Sequence, residues 1–376
     1  MNASSRKPKI VISSYDDIKN PYYAGGGAIS ITEVASRLTG DFDITVLTGN
    51  YPGAKNLQLN GVQYRRIGPS FTGAKFTQLL FHFILPYYVH KMEFDLWIEN
   101  LTPPFSTSCL QAYTRKPVIG LVHMLAAEDM ERKYKLPIFR YIENTGLKSY
   151  RYFIAPTKVT VAKLSGLSQQ PKTFMIPNGV TPQKPSIIHE ITEPYIYFIG
   201  RLEVNQKGLD LLMHAYSQLP KKQQIKLLIT GTGVASEEKK LKDLIRTRHL
   251  EDRVQLLGRI EGQRKWDLMK NASLVVVPSR LETFGIVALE AMACSKPIVT
   301  FDIPGLEWLP NSCAIKAKPF DSTSLASAMS RILSDTKLEA AMGNAAKQAS
   351  LAYSWTTIAK EYQTAIENVL AQPASS

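Results

Sequence analysis

Lys207, Glu282 and Glu290 are the residues from which chemistry can be argued first. Glu282 and Glu290 lie in one stretch, ASLVVVPSRLETFGIVALEAMACSKPIVT, from Ala272 to Thr300. It reads as a strand at Leu274–Val277, a polar turn at Pro278-Ser279-Arg280, a small-apolar run Thr283-Phe284-Gly285-Ile286, a helix over Val287–Cys294 and a closing strand. A strand, a Gly-containing turn and a helix opening at that turn form an anion site. The first helical turn has free N–H groups and carries the positive end of the helix dipole. Carboxylates beside such a site are not there for the anion. They suit neutral hydroxyls, so the expected ligand carries both phosphate and sugar. Glu290 lies about a turn and a half beyond the turn, at roughly 3.6 residues per turn, and reaches a different part of the ligand from Glu282. A helix-buried glutamate paired with a nearby cation is the plainer alternative for Glu290.

Positive charge for a diphosphate is available in Gly200-Arg201-Leu-Glu-Val-Asn-Gln-Lys207-Gly208, which follows a strand and opens a helix. Arg201 sits just beyond the strand end and Lys207 at the helix start, and the two supply charge without a metal. Two ordinary surface cations are the competing reading. Gly231-Thr-Gly233 follows another strand and by itself reads as a tight turn. Leu257-Gly-Arg259-Ile260 ends the next one, where backbone groups could read a nucleobase as readily as simply leave the strand.

In the first half, Tyr23-Ala-Gly25-Gly26-Gly27-Ala28 joins the first strand to the first helix, a second place where glycines permit close backbone approach at a helix N-terminus. A flexible loop is the competing reading there. His123 ends the strand Val118–Val122, a position more often structural than catalytic. Asp41-Phe-Asp43 spells an acidic pair that metal-dependent enzymes use, yet it precedes a strand on the far side of the first helix and reads as solvated loop. No His/Asp/Glu cluster points to a metal and no Gly-x-Ser-x-Gly elbow to a nucleophilic serine.

The elements that must position these residues alternate strand and helix. Strands are expected at Lys9–Ser13, Ile44–Leu47, Val62–Arg66, Leu96–Glu99, Val118–Val122, Phe153–Pro156 and Thr173–Ile176, with a helix over Ala28–Leu38. A break follows at Pro177-Asn-Gly-Val-Thr-Pro182 and continues to Pro194. Alternation then restarts with strands at Tyr195–Ile199, Lys226–Thr230 and Val254–Leu257, and helices at Gly208–Gln218, Ser236–Arg248 and Arg264–Asn271. Helices near Ser322–Leu333, Lys337–Ser350 and Trp355–Leu370 close the chain. This is the pattern of parallel, doubly wound sheets. The division it predicts is a first Rossmann-like domain over 1–190, a second over 191–355, and a terminal helix and tail over 356–376, with strand C-terminal ends carrying the ligands.

At 376 residues the chain is too long for one core. The net charge is +13, of which +9 falls in residues 1–190 and +4 in the rest. The basic first half, with Arg65, Arg66, Lys75, Lys91, Arg115, Lys116 and Arg132 to Lys135, suggests anionic headgroups or a phosphorylated substrate. A solvated basic surface is the bland alternative. Nucleic acid is disfavoured, because no basic run is interleaved with aromatics. Phe76–Val89, FTQLLFHFILPYYV, is too short to span a bilayer and reads as core or as an interfacial helix. Cys109, Cys294 and Cys313 lack disulfide or zinc spacing. With a polar N-terminus running straight into a strand, they point to a reducing cytoplasm, with peripheral contact at the inner face of the membrane as an extension.

Ile176-Pro-Asn-Gly-Val180, Gly200-Arg201, Lys207-Gly208, Gly231–Gly233, Leu257-Gly258 and Glu282-x7-Glu290 with Phe284-Gly285 inside, in this order, resemble the nucleotide-sugar half of retaining glycosyltransferases of the GT-B fold, glycosyltransferase family four. The resemblance implies two facing doubly wound domains with a terminal helix crossing back to the first. It implies transfer of a hexose-type sugar, without a metal or other cofactor, from a UDP- or GDP-sugar to a hydroxyl acceptor such as a glycan, a lipid-linked sugar or a small molecule. Glu282 would then bond the donor sugar, Glu290 the ribose, and Arg201 and Lys207 the diphosphate. The turn Thr283-Phe284-Gly285-Ile286, Gly200, and Arg259-Ile260 would line the donor. Gly25 and Gly26 would approach its phosphate beside the acceptor, and His123 would touch its sugar. A nucleotide-sugar epimerase or hydrolase on the same fold, or a non-catalytic sugar-nucleotide-binding protein, are the alternatives.

Overall fold

The computed structural model describes residues 6–20, 25–70, 74–183, 191 and 193–372, apart from the side chains at 74, 75, 129 and 133. Tyr23 and Ala24 of the first glycine loop, much of the break before Pro194, and the Lys75 and Lys133 side chains therefore lie outside the described residues. The chain divides into two compact units. One comprises Met1–Asn178 with Trp355–Ser376, the other Gly179–Ser354.

The first unit is built on β1 (Lys9–Ser14), β2 (Asp43–Gly49), β3 (Leu57–Leu59), β4 (Val62–Ile67), β5 (Leu96–Leu101), β6 (Val118–Val122), β7 (Tyr152–Ala155) and β8 (Lys172–Met175). They form one sheet in the order β3-β4-β2-β1-β5-β6-β7-β8, parallel except for β3. Strands buried on both faces must be nearly all apolar, and β5 and β6 are buried at every position. The helices are α1 (Gly26–Leu38), α2 (Ala74–Lys91), α3 (Ala127–Tyr134), α4 (Ile138–Leu147) and α5 (Lys158–Ser165). To them is added the terminal helix (Trp355–Leu370), whose buried positions Trp355, Ile358, Ala359, Tyr362, Ile366 and Val369 follow the 3.6-residue period. That stripe packs with Ile31, Val34, Ala35 and Leu38 of α1, so the crossing-back helix expected from the sequence is present.

The second unit carries a six-stranded all-parallel sheet of β9 (Tyr195–Ile199), β10 (Lys226–Thr230), β11 (Val254–Gly258), β12 (Leu274–Val277), β13 (Ile298–Phe301) and β14 (Ala314–Ala317), in the order β11-β10-β9-β12-β13-β14. Its helices are α6 (Leu209–Ser217), α7 (Ala235–Thr247), α8 (Gly262–Asn271), α9 (Ile286–Ala293), α10 (Ser322–Leu333) and α11 (Thr336–Ser350), which makes the terminal helix α12. Asp321 and Asp335 cap α10 and α11 by accepting backbone N–H bonds. In both sheets the chain winds one way and then returns to wind the other. The reversal lies between β1 and β5 in the first and between β9 and β12 in the second, and ligands of such sheets bind outside the strand carboxyl ends at those points.

Two sequence expectations change. Phe76–Val89 lies within α2, which buries Phe81, His82, Leu85 and Val89 and exposes Phe76, Phe83 and Tyr87. It is therefore half core and half surface, and among the described residues no helix is long and apolar enough to cross a membrane. Arg66 is not part of a basic surface. Strand alternation turns it inward while Arg65 faces out, and its side chain is 3% exposed. Its Nε and a terminal nitrogen reach Asp17 Oδ2 at 2.8 and 2.7 Å, and Thr48 Oγ1 donates to the same oxygen at 3.0 Å. Lys116 is likewise committed, its Nζ donating to the carbonyl of Phe94 at 2.5 Å.

Removing one member of a buried ion pair strands the other in low dielectric, at about 3–5 kcal/mol. Arg66→Ala is therefore expected to destabilise the protein by that amount in urea unfolding followed by circular dichroism. Exposed Arg65→Ala should stay within about 0.5 kcal/mol of the parent. Equal effects would refute the buried-pair assignment.

Candidate functional site

At the reversal point of the second sheet, two loops leave the carboxyl ends of β9 and β12 and are stitched together. Arg280 N donates to Gln206 O at 2.9 Å, and its guanidinium donates to Asn205 O at 2.6 Å and to both carboxylate oxygens of Asp210 at 2.7 Å. Gly208, at φ 63°, lets the loops touch: a Cβ there would lie 1.9 Å from Pro278 O. This close approach places Lys207 against the second loop. Its Nζ meets Glu282 Oε1 at 2.6 Å, and Ser279 Oγ donates to the same oxygen at 2.7 Å. Oε2 of Glu282 has no partner among the described residues. Both side chains are only partly buried, so the pair is accessible.

Directly beyond, Gly285 caps α9 in the left-handed region, with φ 76°. Phe284 does not face a ligand with its ring. The ring is buried and stacked on Trp308 at 4.4 Å, and Trp308 Nε1 donates to the Phe284 carbonyl at 2.7 Å. What this turn offers a ligand is backbone: the start of α9 is pinned, and while Ala288 N donates to Gly285 O at 2.9 Å, the N–H groups of Ile286 and Val287 precede the first helix bond. Thr283 and Ile286 are half-buried on either side.

Glu290, one and a half turns on, is buried and pairs through Oε1 with Lys265 Nζ of α8 at 2.5 Å. Burial pushes its carboxyl pKa up, and the Lys265 charge and hydrogen bond oppose the rise. Lys265 also lies over the Trp266 ring at 4.7 Å. Tyr197, pushed up to about 12 chiefly by burial, feels the Glu290 charge as a further rise. Glu282 and Glu290 thus hold separate cations and occupy separate environments.

The remaining residues singled out from the sequence are placed less centrally. Arg201 is 65% exposed and pairs with Glu203 at 2.8 Å. Arg259 is exposed with Glu261, while Ile260 is buried in the core. Gly200 N donates to Thr230 O, and a Cβ on Gly231 would lie 1.7 Å from Gly200 O. The Gly231-Thr-Gly233 turn therefore serves chain packing. Lys265 and Ser279 are residues that sequence reasoning missed. Ser279 was named only as part of the polar turn, three residues before Glu282, whereas Lys265 stands in no motif and only the fold brings it to Glu290.

The first sheet's reversal point gathers a different set. Gly25 caps α1, and Gly26 and Gly27 form its first turn. Around Gly27 stand Asp16 from the loop after β1, Asn100 from β5 and His123 from the end of β6. A Cβ on Gly27 would lie 3.5 Å from Asp16 Oδ2, 3.7 Å from Asn100 Nδ2 and 3.7 Å from His123 Cδ2. Asn100 Nδ2 donates to Ser14 Oγ at 2.9 Å, but its Oδ1 and His123 Nε2 are buried without partners among the described residues. Burial raises the Asp16 carboxyl pKa to about 6 and lowers the His123 imidazole pKa to about 4. Asp16 and Asn100 were not singled out from the sequence, although an acidic doublet directly after β1 was there to be seen. Asp41 and Asp43 lie exposed at the start of β2, as solvated loop residues should.

Residues 181–349 match the family model for glycosyl transferases group 1. The second unit of this chain belongs to that family. A curated relative, an uncharacterized glycosyltransferase of Methanocaldococcus jannaschii, is 37% identical over 182 residues, 46% of this chain and 46% of its own length. The chain spans about half the length of the curated relatives it matches. Among solved structures, sucrose-phosphate synthase from Thermosynechococcus elongatus superposes with a TM-score of 0.83 at 22% identity, over 97% of this chain and 100% of that one. Anabaena HepE in complex with UDP-glucose gives 0.73 at 20% identity, over 96% and 100%. These likenesses establish the GT-B fold. In this family member, then, Lys207, Glu282 and the N-terminus of α9 meet at the sheet position where the fold binds ligands.

Asp16 supplies a stability test. Its folded pKa of about 6 lies above the ordinary 3.8, so the native state binds a proton more readily than the unfolded chain does. Its contribution is fully present below pH 3.8 and is lost as pH rises through 6. At about 1.4 kcal/mol per tenfold, the ionised carboxylate costs on the order of 2–3 kcal/mol above that range. Asp16→Asn is expected to match the parent in chemical denaturation near pH 4 and to exceed it in stability at pH 7.5. An offset independent of pH would contradict the placement.

Proposed function

We propose that this chain is a retaining, metal-independent glycosyltransferase that moves a hexose-type sugar from a nucleotide-diphosphate sugar to a hydroxyl acceptor. The observation that carries the reading is the Lys207–Glu282–Ser279 cluster at the start of α9, with Glu290 held separately by Lys265. Lys207 and the α9 N-terminus supply positive potential to the departing diphosphate. Glu282, with one oxygen unpaired, accepts bonds from sugar hydroxyls, and Glu290 accepts from the ribose. UDP, carried by the structural neighbour HepE as UDP-glucose, and GDP are the donor nucleotides proposed here.

The chemistry asks for no enzymic nucleophile. The acceptor hydroxyl attacks on the face that the diphosphate leaves, and a diphosphate oxygen takes its proton, which gives net retention. Catalysis is positioning together with stabilisation of leaving-group charge. Arg201, Arg259 and the backbone at Gly25 and Gly26 are assigned to donor phosphates and base, and His123 to the donor sugar, on the family resemblance.

A lipid-linked acceptor at an anionic membrane is the second part of the proposal. Exposed Phe83 and Tyr87 of α2 continue through Phe105 and Phe139 to Tyr134, with successive ring centroids 5.7–6.2 Å apart from Phe83 onward. Lys91, Arg140 and Lys135 belong to the same helices and the loop between them. An apolar ridge edged by cations is what interfacial binding uses.

Two experiments test these assignments. A thermal-shift panel of UDP, GDP and ADP should show stabilisation by one nucleotide. With the corresponding sugar donor, Lys207→Ala and Glu282→Ala should each lower turnover by roughly 10²-fold or more while the folded state survives. Near-parental turnover in folded Lys207→Ala would remove the diphosphate role. Separately, the protein should co-sediment with phosphatidylserine-containing vesicles in a salt-sensitive way, and a Phe83→Ser/Tyr87→Ser variant should not. Absence of sedimentation for the parent would refute the membrane part alone.

A further inference from the structure

The turn that opens α9 rests on a segment that no sequence motif contains. Pro304–Leu306, a single 3-10 turn after β13, packs against both ends of it. A Cβ on Gly305 would lie 1.8 Å from Glu282 O, and one on Gly285 would lie 2.3 Å from Leu306 Cδ2. Trp308 follows. Its ring and that of Phe284 have centroids 4.4 Å apart and planes 1° from parallel, and its Nε1 donates to the Phe284 carbonyl at 2.7 Å. Tyr353 completes the cluster, 5.2 Å from the Trp308 ring and 6.4 Å from that of Phe284. Main chain places Tyr353 in turn. The chain enters the second unit at Gly179 and leaves it after Ser354, and these two passages pair. Val180 N donates to Tyr353 O at 2.8 Å, and Val180 and Ser354 form a parallel bridge.

The indole hydrogen bond fixes more than a carbonyl. A trans peptide is planar, with its C=O and N–H pointing in opposite directions. Holding the Phe284 carbonyl to the indole therefore turns the Gly285 N–H away from it. Gly285, at φ 76°, then sets the direction of the Ile286 and Val287 N–H groups, ahead of the first helix bond. A loose turn would have to be ordered when an anion binds, at about 1–2 kcal/mol per residue.

We propose that Trp308 and Tyr353 are positioning residues of the donor turn. Trp308 aims the N–H groups of Gly285, Ile286 and Val287 at the diphosphate, and Tyr353 ties the aromatic stack to the paired chain passages. The diphosphate as ligand rests on the glycosyl-transfer reading above; the hold on the turn does not. Both residues act through Phe284, so their effect falls on the phosphates. The ribose, on the same reading, belongs to Glu290, which Lys265 holds independently.

Trp308→Phe keeps the stack and removes only the indole donor. Tyr353→Leu removes the ring, and Tyr353→Phe keeps it. Hydrogen exchange over residues 283–289 of the full chain is followed by mass spectrometry without nucleotide. Trp308→Phe and Tyr353→Leu should each speed it about tenfold, and Tyr353→Phe should match the parent. NMR titrations then compare UDP with uridine and GDP with guanosine. The diphosphate that the parent binds should weaken about tenfold in the first two variants, with the matching nucleoside within about twofold. Parental exchange or parental diphosphate affinity in both variants would overturn the proposal. So would equal losses for nucleoside and diphosphate, which a general loosening of the unit gives. Faster exchange in the variants of a parent that binds no nucleotide would sink the glycosyl-transfer reading and leave the hold on the turn standing.

Discussion

The second unit depends on a backbone contact: the β9 loop passing over the β12 loop where Gly208 meets Pro278. Parallel strands separated by a crossover deliver their loops from opposite directions, and side chains between them would hold the loops apart. With no Cβ at 208, the two main chains touch, and Arg280 ties the contact by bonding one loop's carbonyls while forking onto Asp210. A short lysine-to-glutamate distance is then a consequence of main-chain geometry and needs no long side chains held in place at an entropic cost. The same contact sets where α9 begins, with Phe284 anchored inward by Trp308.

The two sheets solve the same topological problem with opposite electrostatics. At the β9/β12 reversal every acid has a cation: Glu282 has Lys207, Glu290 has Lys265, Asp210 has Arg280. Such a surface receives negative charge without a large reorganisation, since a phosphate can share a lysine already oriented by its carboxylate. At the β1/β5 reversal the acid facing the open space has no cation, and the neighbouring cation, Arg66, is spent on Asp17 one residue away. Adjacent aspartates thus diverge. Asp17 turns under the sheet edge and locks the loop, and Asp16 turns outward at a desolvation cost.

The sequence made the strands, most helices and the Glu282-x7-Glu290 unit legible because buried parallel strands are apolar throughout and sharply bounded. The small β3 strand escaped, although Asn60-Gly61, both with positive φ, is a hairpin turn signal joining β3 to β4. Three residues of strand carry too little periodicity to be seen. β14 also escaped, an edge strand of four residues with two half-buried. Charge was the least legible property. Arg65 and Arg66 are identical in composition and opposite in fate, because direction alternates along a strand. Arg201 looked central by its place after β9, yet its side chain folds onto Glu203 two residues on. Lys265 could not be linked to Glu290 across 25 residues, because the contact exists only once α8 packs beside α9.

The two glutamates of that unit are unequal as hydrogen-bond acceptors, and the inequality suits their separate places. Glu282 is partly buried, its side chain 14% exposed, and keeps one oxygen without a partner among the described residues, so a ligand hydroxyl can bond it without first breaking the Lys207 pair. Glu290 is buried, with its pKa raised by desolvation, and Lys265 works against that rise; without Lys265 the carboxyl would favour its proton more strongly. A protonated Glu290 would lose half its capacity to accept from a diol. Lys265, on a helix with no motif of its own, therefore opposes the desolvation of Glu290, so that each end of the Glu282-x7-Glu290 unit has its own cation.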